Sequence, residues 1–258
     1  MARAFTSRMS CVSLTLLVFL ISSTAWAQIG PPQPRAPSGG YSLGVGLHNV
    51  QSRWSPYDYT IARNRVYIEG SHGLGDCLEI FSRVGGSNWV INDIETLQPG
   101  MIRDVSSDGY PLFASGGLRG MCWECDNWSI GLSLEAAVYS GMEETVRWSF
   151  DRYQELLFDP TVEINAGLSV GYCLERGIVY SGPLLHLGYA RADVRTHIFG
   201  PNWTVEDSID AVTIRDKPGW GWFLGWQRPI GEWGWNLQLE GSVLNEGFGG
   251  AISCFKAW

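Results

Sequence analysis

Lysine and charge are both scarce in this chain. Lys217 and Lys256 are its only lysines, and charged residues make up 17% of the 258 positions. Disordered chains are rich in charge and poor in aromatic residues, whereas 13% of this chain is Phe, Trp or Tyr. A soluble sheet usually protects its edges with exposed charged side chains such as lysine, so the shortage of lysine disfavours a soluble β protein. The composition excludes disorder and favours an all-β domain that meets lipid.

Long hydrophobic runs are missing beyond the N-terminus. A polytopic helical membrane protein is therefore excluded, because each spanning helix needs about 20 apolar residues. The one apolar run, Val12–Ile21, follows Arg3 and Arg8 and precedes residues 25–27 (AWA), which match an A-x-A cleavage site. We therefore expect residues 1–27 to be a secretory signal peptide that is cleaved at the end of that site.

A short segment rich in proline and glycine, residues 28–40 (QIGPPQPRAPSGG), follows the signal. This composition is typical of flexible linkers, so we expect a flexible leader before a folded domain at 41–258. The formal net charge is −8, and removal of the signal also takes away two arginines. Such an acidic chain is not expected to bind nucleic acid. No cofactor is expected, and no motif indicates a metal site.

Alternation between apolar and polar side chains is the most informative pattern, and it begins at Tyr41. In 233–243 (WGWNLQLEGSV) the odd positions other than Gly241 carry large apolar residues, and the even positions carry small or polar residues. The windows 41–48, 128–138 and 161–172 repeat this period of two. A strand places successive side chains on opposite faces, so these windows predict strands with one apolar and one polar face.

The alternating windows predict about ten strands. The predicted strands are 41–50, 62–74, 77–90, 113–123, 127–140, 160–173, 177–195, 218–228, 233–244 and 247–258. Tight turns alternate with long polar segments, which we expect to be loops at 51–61, 91–112, 141–159 and 196–217. An even strand number with short turns at one end and long loops at the other predicts an antiparallel up-and-down transmembrane β-barrel of about ten strands, within a range of eight to twelve.

A secreted β-sandwich is the main alternative fold, because its strands also alternate. The polar faces of a sandwich point to solvent and usually carry Lys, Thr and Glu, whereas Gly, Ser and Asn dominate the polar faces here. Small side chains suit the crowded lumen of a narrow barrel. The polar faces therefore favour the barrel.

Aromatic residues gather beside the predicted turns, where the interface of a bilayer would lie. The interface candidates are Trp123, Trp128, Trp226, Trp233 and Trp258. The last of them ends the chain in a strand-like sequence, GFGGAISCFKAW. In these features residues 41–258 resemble the small bacterial outer-membrane β-barrel proteins, of porin-like or OmpA-type architecture, although no subfamily signature is present. Lys256 departs from the pattern, since it shares a face with the terminal tryptophan.

The resemblance implies a location in the bacterial outer membrane, with lipid as a partner and with the barrel-assembly machinery reading the last strand. It leaves the oligomeric state open. We expect a structural or narrow porin-like role with long extracellular loops, and no enzymatic activity. The alternatives are an outer-membrane hydrolase, in which His197 meets Asp207 or Asp210 in the outer loops, and a secreted β-sandwich that binds a partner.

The polar faces carry charged residues that we expect to face the lumen. The candidates are Glu69, Glu79, Arg83, Arg119, Glu135, Glu163, Glu240 and His186. Buried charges need partners, so a carboxylate–arginine network would account for most of them. A filled and paired lumen would indicate a structural barrel, whereas unpaired carboxylates in an open lumen would favour the passage of cations.

Five cysteines follow the signal, and the predicted topology places all of them at the periplasmic end. The candidates for free thiols or disulfides are Cys77, Cys122, Cys125, Cys173 and Cys254. An oxidising compartment permits disulfides, but an odd number leaves at least one thiol unpaired or bonded to a partner. One C-x-x-C pair is present without a second half-site, so a zinc site is not indicated.

Overall fold

The structure, a computed structural model, describes residues 29–55, 59–95, 102–106, 110–149, 152–199, 205–216, 218–245 and 247–258. The predicted signal peptide therefore lies outside the described residues. Within the described ranges no helix is long and apolar enough to cross a membrane.

The described residues form one antiparallel sheet. Its strands are β1 (Tyr41–Ser55), β2 (Tyr59–Gly73), β3 (Leu78–Glu95), β4 (Ile102–Ser106), β5 (Leu112–Cys125), β6 (Trp128–Tyr139), β7 (Met142–Ser149), β8 (Arg152–Phe158), β9 (Thr161–Leu174), β10 (Gly177–Phe199), β11 (Val205–Asp216), β12 (Gly219–Ile230), β13 (Trp235–Leu244) and β14 (Gly247–Ala257). Ten of them, β1, β2, β3, β5, β6, β9, β10, β12, β13 and β14, close into a barrel because β10 pairs with β12 and β14 pairs with β1. The predicted ten-stranded antiparallel barrel is confirmed.

The first and last strands close the barrel. Their ladder runs from Ser42 opposite Ala257 to Ser52 opposite Gly247. The Tyr41 N–H donates to the Trp258 carbonyl at 2.9 Å, and the reverse bond measures 3.0 Å. We call this rim, which also carries the four short turns, the turn end. A closed barrel leaves no strand edge unpaired at its core, which removes the route to edge aggregation.

Four strands extend the wall beyond the ten-stranded section, at what we call the extension end. β7 and β8 form a hairpin, β8 and β11 both pair with the far part of β10, and β4 pairs with β3. The sequence analysis expected loops in these regions, and that expectation was wrong. The reason is that charged residues occupy both odd and even positions of the sequences of β8 and β11, so the apolar–polar alternation that revealed the ten barrel strands is lost in them.

The outer surface of the barrel is apolar and the inner surface is polar. On β6, Leu132 and Leu134 are 53% and 51% exposed, whereas Ser133 and Glu135 are 7% and 3% exposed. The outward residues of this strand run from Trp128 to Val138, which is about 34 Å of strand. A tilt of about 40° reduces this to a height of about 26 Å, close to the apolar band of transmembrane barrels.

Two tyrosine rings occupy part of the lumen and pack closely against glycines of the neighbouring strands. A side chain at Gly46 would collide with the ring of Tyr67, and one at Gly225 would collide with the ring of Tyr180. Both tyrosines are buried at the inner surface. Glycine at these two wall positions therefore leaves room for a tyrosine ring of the neighbouring strand to pack against the wall.

Candidate functional site

The chain before β1 enters the lumen. Residues 29–40, hereafter the N-terminal segment, run inward from the turn end, and Ile29, Arg35 and Ala36 are all buried. A side chain at Gly131 would collide with Pro32 of this segment. The sequence analysis expected a flexible leader, and composition gave no sign that the segment packs inside the barrel.

One wall carboxylate binds the inner part of the N-terminal segment. Glu240 accepts hydrogen bonds from the Ile29 N–H at 2.8 Å, the Gly30 N–H at 2.9 Å and the Tyr180 hydroxyl at 3.0 Å. Gly30 has φ of +86°, a value that lets successive N–H groups converge on one anion. Glycine is required there because other residues rarely adopt this conformation.

A second wall carboxylate binds the outer part of the segment. Glu79 accepts from the N–H groups of Arg35 and Ala36 at 2.7 and 2.9 Å. The residues between and beyond these donors include four prolines, Pro31, Pro32, Pro34 and Pro37. Proline has no N–H, so the segment carries few donors that would be left unsatisfied in the lumen.

Side chains of the N-terminal segment also contact the wall. Arg35 pairs with Glu69 and Gln238, and its guanidinium lies 4.5 Å from the centre of the Phe255 ring. The Gln33 amide donates to the Ser129 hydroxyl at 2.9 Å. Arg35 therefore has a carboxylate, an amide oxygen and an aromatic face around it.

Wall charges in the middle of the lumen pair with one another. Arg83 donates to Glu69 at 2.7 Å and to both oxygens of Glu135 at 2.9 Å. Glu135 also accepts from Ser115 at 2.6 Å, and Arg119 pairs with Glu79. Hydrogen bonds between an arginine and a carboxylate are charge-assisted and about twice as strong as those between neutral groups.

A different set of groups fills the lumen towards the extension end. Glu163 pairs with Arg63 and Arg65, the latter at 2.5 Å, and accepts from the Tyr139 hydroxyl at 2.9 Å. The Arg65 guanidinium lies 5.0 Å from the centre of the Tyr139 ring, and that of Arg63 lies 5.3 Å from that of Trp89. These arginines, their carboxylate and the rings form a layer that belongs entirely to the wall.

The structure places every predicted lumen residue inside the barrel. All of the following are buried and have a polar partner: Glu69, Glu79, Arg83, Arg119, Glu135, Glu163, Glu240 and His186. Sequence reasoning missed Arg63 and Arg65, although both have the same parity as Glu69 on β2 and could have been found from it. It also missed Arg35, which no period in the sequence marks.

The five cysteines lie at or near the turn end and are free thiols in the described part of the chain. Cys77, Cys122 and Cys125 are exposed, while Cys173 and Cys254 are partly buried. The Cys173 sulfur accepts a hydrogen bond from the Gln33 amide at 3.6 Å. Cys254 lies on the outer face, since its neighbours Ser253 and Phe255 are buried in the lumen.

The predicted interface tryptophans are on the outside of the barrel or in its turns. Trp123, Trp128, Trp233 and Trp258 are at least 49% exposed, and Trp226 is partly buried. Trp128 packs edge to face on Tyr172 with ring centroids 4.8 Å apart. Sequence reasoning missed a second group near the extension end, Trp220 and Trp222, which are 63% and 59% exposed.

The histidine considered for a hydrolase lies in the extension. His197 is 3.3 Å from a Glu155 carboxylate oxygen, and Asp207 is its partner in the ladder. Asp210 is opposite Val194 instead. Among the described residues, no group of three or more His, Cys, Asp or Glu is arranged to hold a metal ion. The structure thus joins His197 to the Glu155 carboxylate, and these contacts of the described residues identify no nucleophile beside it.

No protein-family model matches the sequence, and no curated protein is significantly similar to it. Among solved structures, the chain is similar to the translocator domain of the autotransporter NalP from Neisseria meningitidis, with TM-score 0.48 and 11% identity over 85% of this chain and 88% of that one. It is also similar to the outer membrane protease OmpT from Escherichia coli, with TM-score 0.39 and 12% identity over 89% and 95%. The toluene transporter TodX from P. putida gives TM-score 0.41 and 12% identity over 84% and 67%. The described chain thus has the architecture of a small outer-membrane β-barrel, and that statement rests on its own closed sheet and apolar exterior.

Proposed function

We propose that this protein is a closed, structural barrel of the bacterial outer membrane that anchors a β-sheet extension outside the cell. The observation that carries the proposal is the filled lumen. The N-terminal segment occupies the half near the turn end, and side chains of the wall occupy the half near the extension end. Of the two roles considered from the sequence, a structural role fits this lumen better than a narrow pore.

The balance of buried charge supports a closed lumen. The buried ionised groups comprise five arginines and five glutamates: Arg35, Arg63, Arg65, Arg83, Arg119, Glu69, Glu79, Glu135, Glu163 and Glu240. A conducting pore needs a continuous path of water, and paired groups packed between aromatic rings leave none of their charge to guide ions. Equal numbers of opposite charges therefore suit a packed interior.

The outer surface supports the membrane location. An apolar band with exposed tryptophans near both ends matches the girdles of transmembrane barrels. In this arrangement membrane lipid is the partner of the wall, the short turns face the periplasm, and the extension faces the exterior. The extension, whose sequence carries charged residues at both odd and even positions, is then the part of the molecule that is exposed outside the cell.

Conductance tests the closed lumen. Purified wild-type protein is inserted in planar bilayers, and insertion is verified by the faster migration of the unboiled protein on a denaturing gel. We expect no steady conductance above that of a detergent control, because the N-terminal segment and the paired side chains of the wall occupy the lumen. A stable conductance from correctly folded protein would overturn the structural role and support a pore.

Thiol labelling tests the orientation. A membrane-impermeant maleimide added to intact cells should leave the native cysteines unlabelled, because they lie near the turn end. Permeabilisation of the outer membrane should then allow the exposed thiols, Cys77, Cys122 and Cys125, to react. Asp159→Cys, at an exposed position of the extension, should be labelled in intact cells and serves as the control. Strong labelling of the native cysteines in intact cells would reverse the proposed orientation.

A further inference from the structure

We propose that the half of the lumen near the turn end is a peptide-binding site for a proline-rich segment that contains an arginine. The N-terminal segment is the occupant of this site in the described chain. The proposal goes beyond a structural role, since it gives the barrel wall a ligand of defined chemistry.

The wall recognises the main chain of its occupant. Glu240 and Glu79 each receive two successive N–H groups, from Ile29 and Gly30 in one case and from Arg35 and Ala36 in the other. The first donors of the two pairs, Ile29 and Arg35, are six positions apart, and three of the four residues between the pairs are prolines. Proline fixes the backbone angle φ, so these residues restrict the chain before it binds, which lowers the entropy lost on binding.

The wall also recognises one side chain. The Arg35 guanidinium contacts the Glu69 carboxylate, the Gln238 amide oxygen and the face of the Phe255 ring. Planar guanidinium binds carboxylates through two donors and stacks on rings, which a lysine ammonium does not reproduce. The pocket is therefore selective for arginine at this position of the ligand.

The charge of the wall also favours a cationic occupant. Four glutamates and two arginines of the wall face this half of the lumen: Glu69, Glu79, Glu135, Glu240, Arg83 and Arg119. Without the N-terminal segment the described wall would carry an excess of two carboxylates, and Arg35 supplies one of the missing positive charges. An anionic or neutral segment would leave more of that charge unpaired in a buried space.

The site opens at the turn end. A cavity of about 500 Å³ lies beside the segment there, bordered by Asp76, Glu124 and Trp258. The layer formed by Glu163, Arg63 and their aromatic neighbours lies on the opposite side. A peptide can therefore enter and leave at the turn end without passing through the barrel.

The test uses full-length protein with substitutions that weaken the contacts of the N-terminal segment with the wall and leave the wall itself unchanged. Ile29→Pro and Ala36→Pro each remove an N–H donor, and Arg35→Ala removes the guanidinium, so the triple variant frees the site. The probe is a synthetic peptide with the sequence of residues 29–38, IGPPQPRAPS, carrying a C-terminal fluorophore and an N-terminal acetyl group, so that its first residue offers an amide N–H as in the protein. Binding is measured by fluorescence anisotropy in detergent, after unboiled gel migration has shown that the barrel is folded.

We expect the triple variant to bind the peptide at least tenfold more tightly than wild type, in which the tethered segment competes at high effective concentration. Ser38→Ala, at an exposed position of the segment, should behave as wild type. A peptide with alanine in place of its arginine should bind the triple variant at least tenfold more weakly. Adding Glu79→Gln and Glu240→Gln to the triple variant should have a similar effect.

Changes in the peptide keep the test decisive if the added wall substitutions prevent folding. A peptide with proline at the positions of Ile29 and Ala36 lacks two of the four N–H donors and should bind more weakly to the folded triple variant. The inference is overturned if the folded triple variant binds no peptide, or if it binds the arginine-free and proline-substituted peptides equally well. Either result could occur with a wild-type barrel that conducts no ions, so the inference and the proposed function fail separately.

Discussion

The two halves of the lumen are filled with the same chemistry but by different means. Near the extension end, Glu163, Arg63 and Arg65 are all rooted in barrel strands. Near the turn end, one arginine and several main-chain donors come from the N-terminal segment. This segment contacts the wall through hydrogen bonds, and its covalent connection to the described wall is at Tyr41. Breaking a contact in the first half leaves the remaining groups buried, whereas the occupant of the second half can leave and let water replace it. Loss of a similar contact should therefore reduce stability more in the half near the extension end than in the half near the turn end.

The largest effect should follow a substitution in the extension-end half. Glu163→Gln removes the carboxylate that pairs with two buried arginines, and loss of one partner from a buried ion pair costs about 3–5 kcal/mol. We expect a marked fall in the temperature at which the folded band converts to the unfolded band on a gel. Glu232→Gln, in an exposed turn, is the control, and a Glu163 variant as stable as this control would contradict the picture of a rigid layer.

An intermediate effect is expected between the two halves. Arg83→Met removes hydrogen bonds to Glu69 and Glu135, but Glu69 keeps its contact with Arg35. Glu135 also keeps the Ser115 hydroxyl, whereas Glu163→Gln leaves two arginines without a carboxylate, so we expect a loss of stability smaller than that of the Glu163 variant. Thermal unfolding followed by circular dichroism in detergent measures it, and a loss larger than that of the Glu163 variant would reverse the ranking of the two halves.

In the turn-end half, a substitution should change accessibility more than stability. Glu240→Gln weakens the acceptor of two main-chain donors, for which we expect about 0.5–1.5 kcal/mol and a faster tryptic cut after Arg35. Mass spectrometry of the folded, full-length protein after limited digestion detects that cut. Glu124→Gln, an exposed carboxylate near the mouth, should leave the cutting rate unchanged. If the Glu240 substitution unfolded the whole barrel, the N-terminal segment would contribute as much to the stability of the fold as the side chains in the opposite half of the lumen do.

The smallest effect should come from a partly buried side chain of the N-terminal segment. Gln33→Ala removes the hydrogen bonds to Ser129 and Cys173, for which we expect a loss of about 0.5 kcal/mol. The Cys173 thiol should react faster with maleimide once the amide no longer covers it. The exposed thiol of Cys77 serves as the reference. If the reactivity of Cys173 relative to this reference did not change, the Gln33 side chain would not be covering the Cys173 thiol.

Much of the barrel could be predicted because its wall separates two environments. An apolar exterior on one side and a crowded polar lumen on the other impose alternation, so the lumen positions of Ser133 and Glu135 follow from their alternation with Leu132 and Leu134. The same rule fails in β11, because its sequence does not alternate. It also failed for the N-terminal segment, because proline and glycine are as typical of a flexible linker as of a chain that fills a lumen with few N–H donors. Whether such a segment is bound depends on Glu79 and Glu240, which lie elsewhere in the sequence.

The sequence separation of the segment's contacts bears on the order of events in folding. Ile29 reaches Glu240 across 211 positions, and Arg35 reaches Gln238 across 203. Contacts so distant in sequence form slowly, because the intervening chain must first be ordered. The Ile29 and Gly30 N–H groups therefore find Glu240 only after β13 has joined the sheet, whereas Glu79, the acceptor for Arg35 and Ala36, already lies on β3. Because β14 then closes on β1, the beginning of the described chain settles into place at the end of assembly.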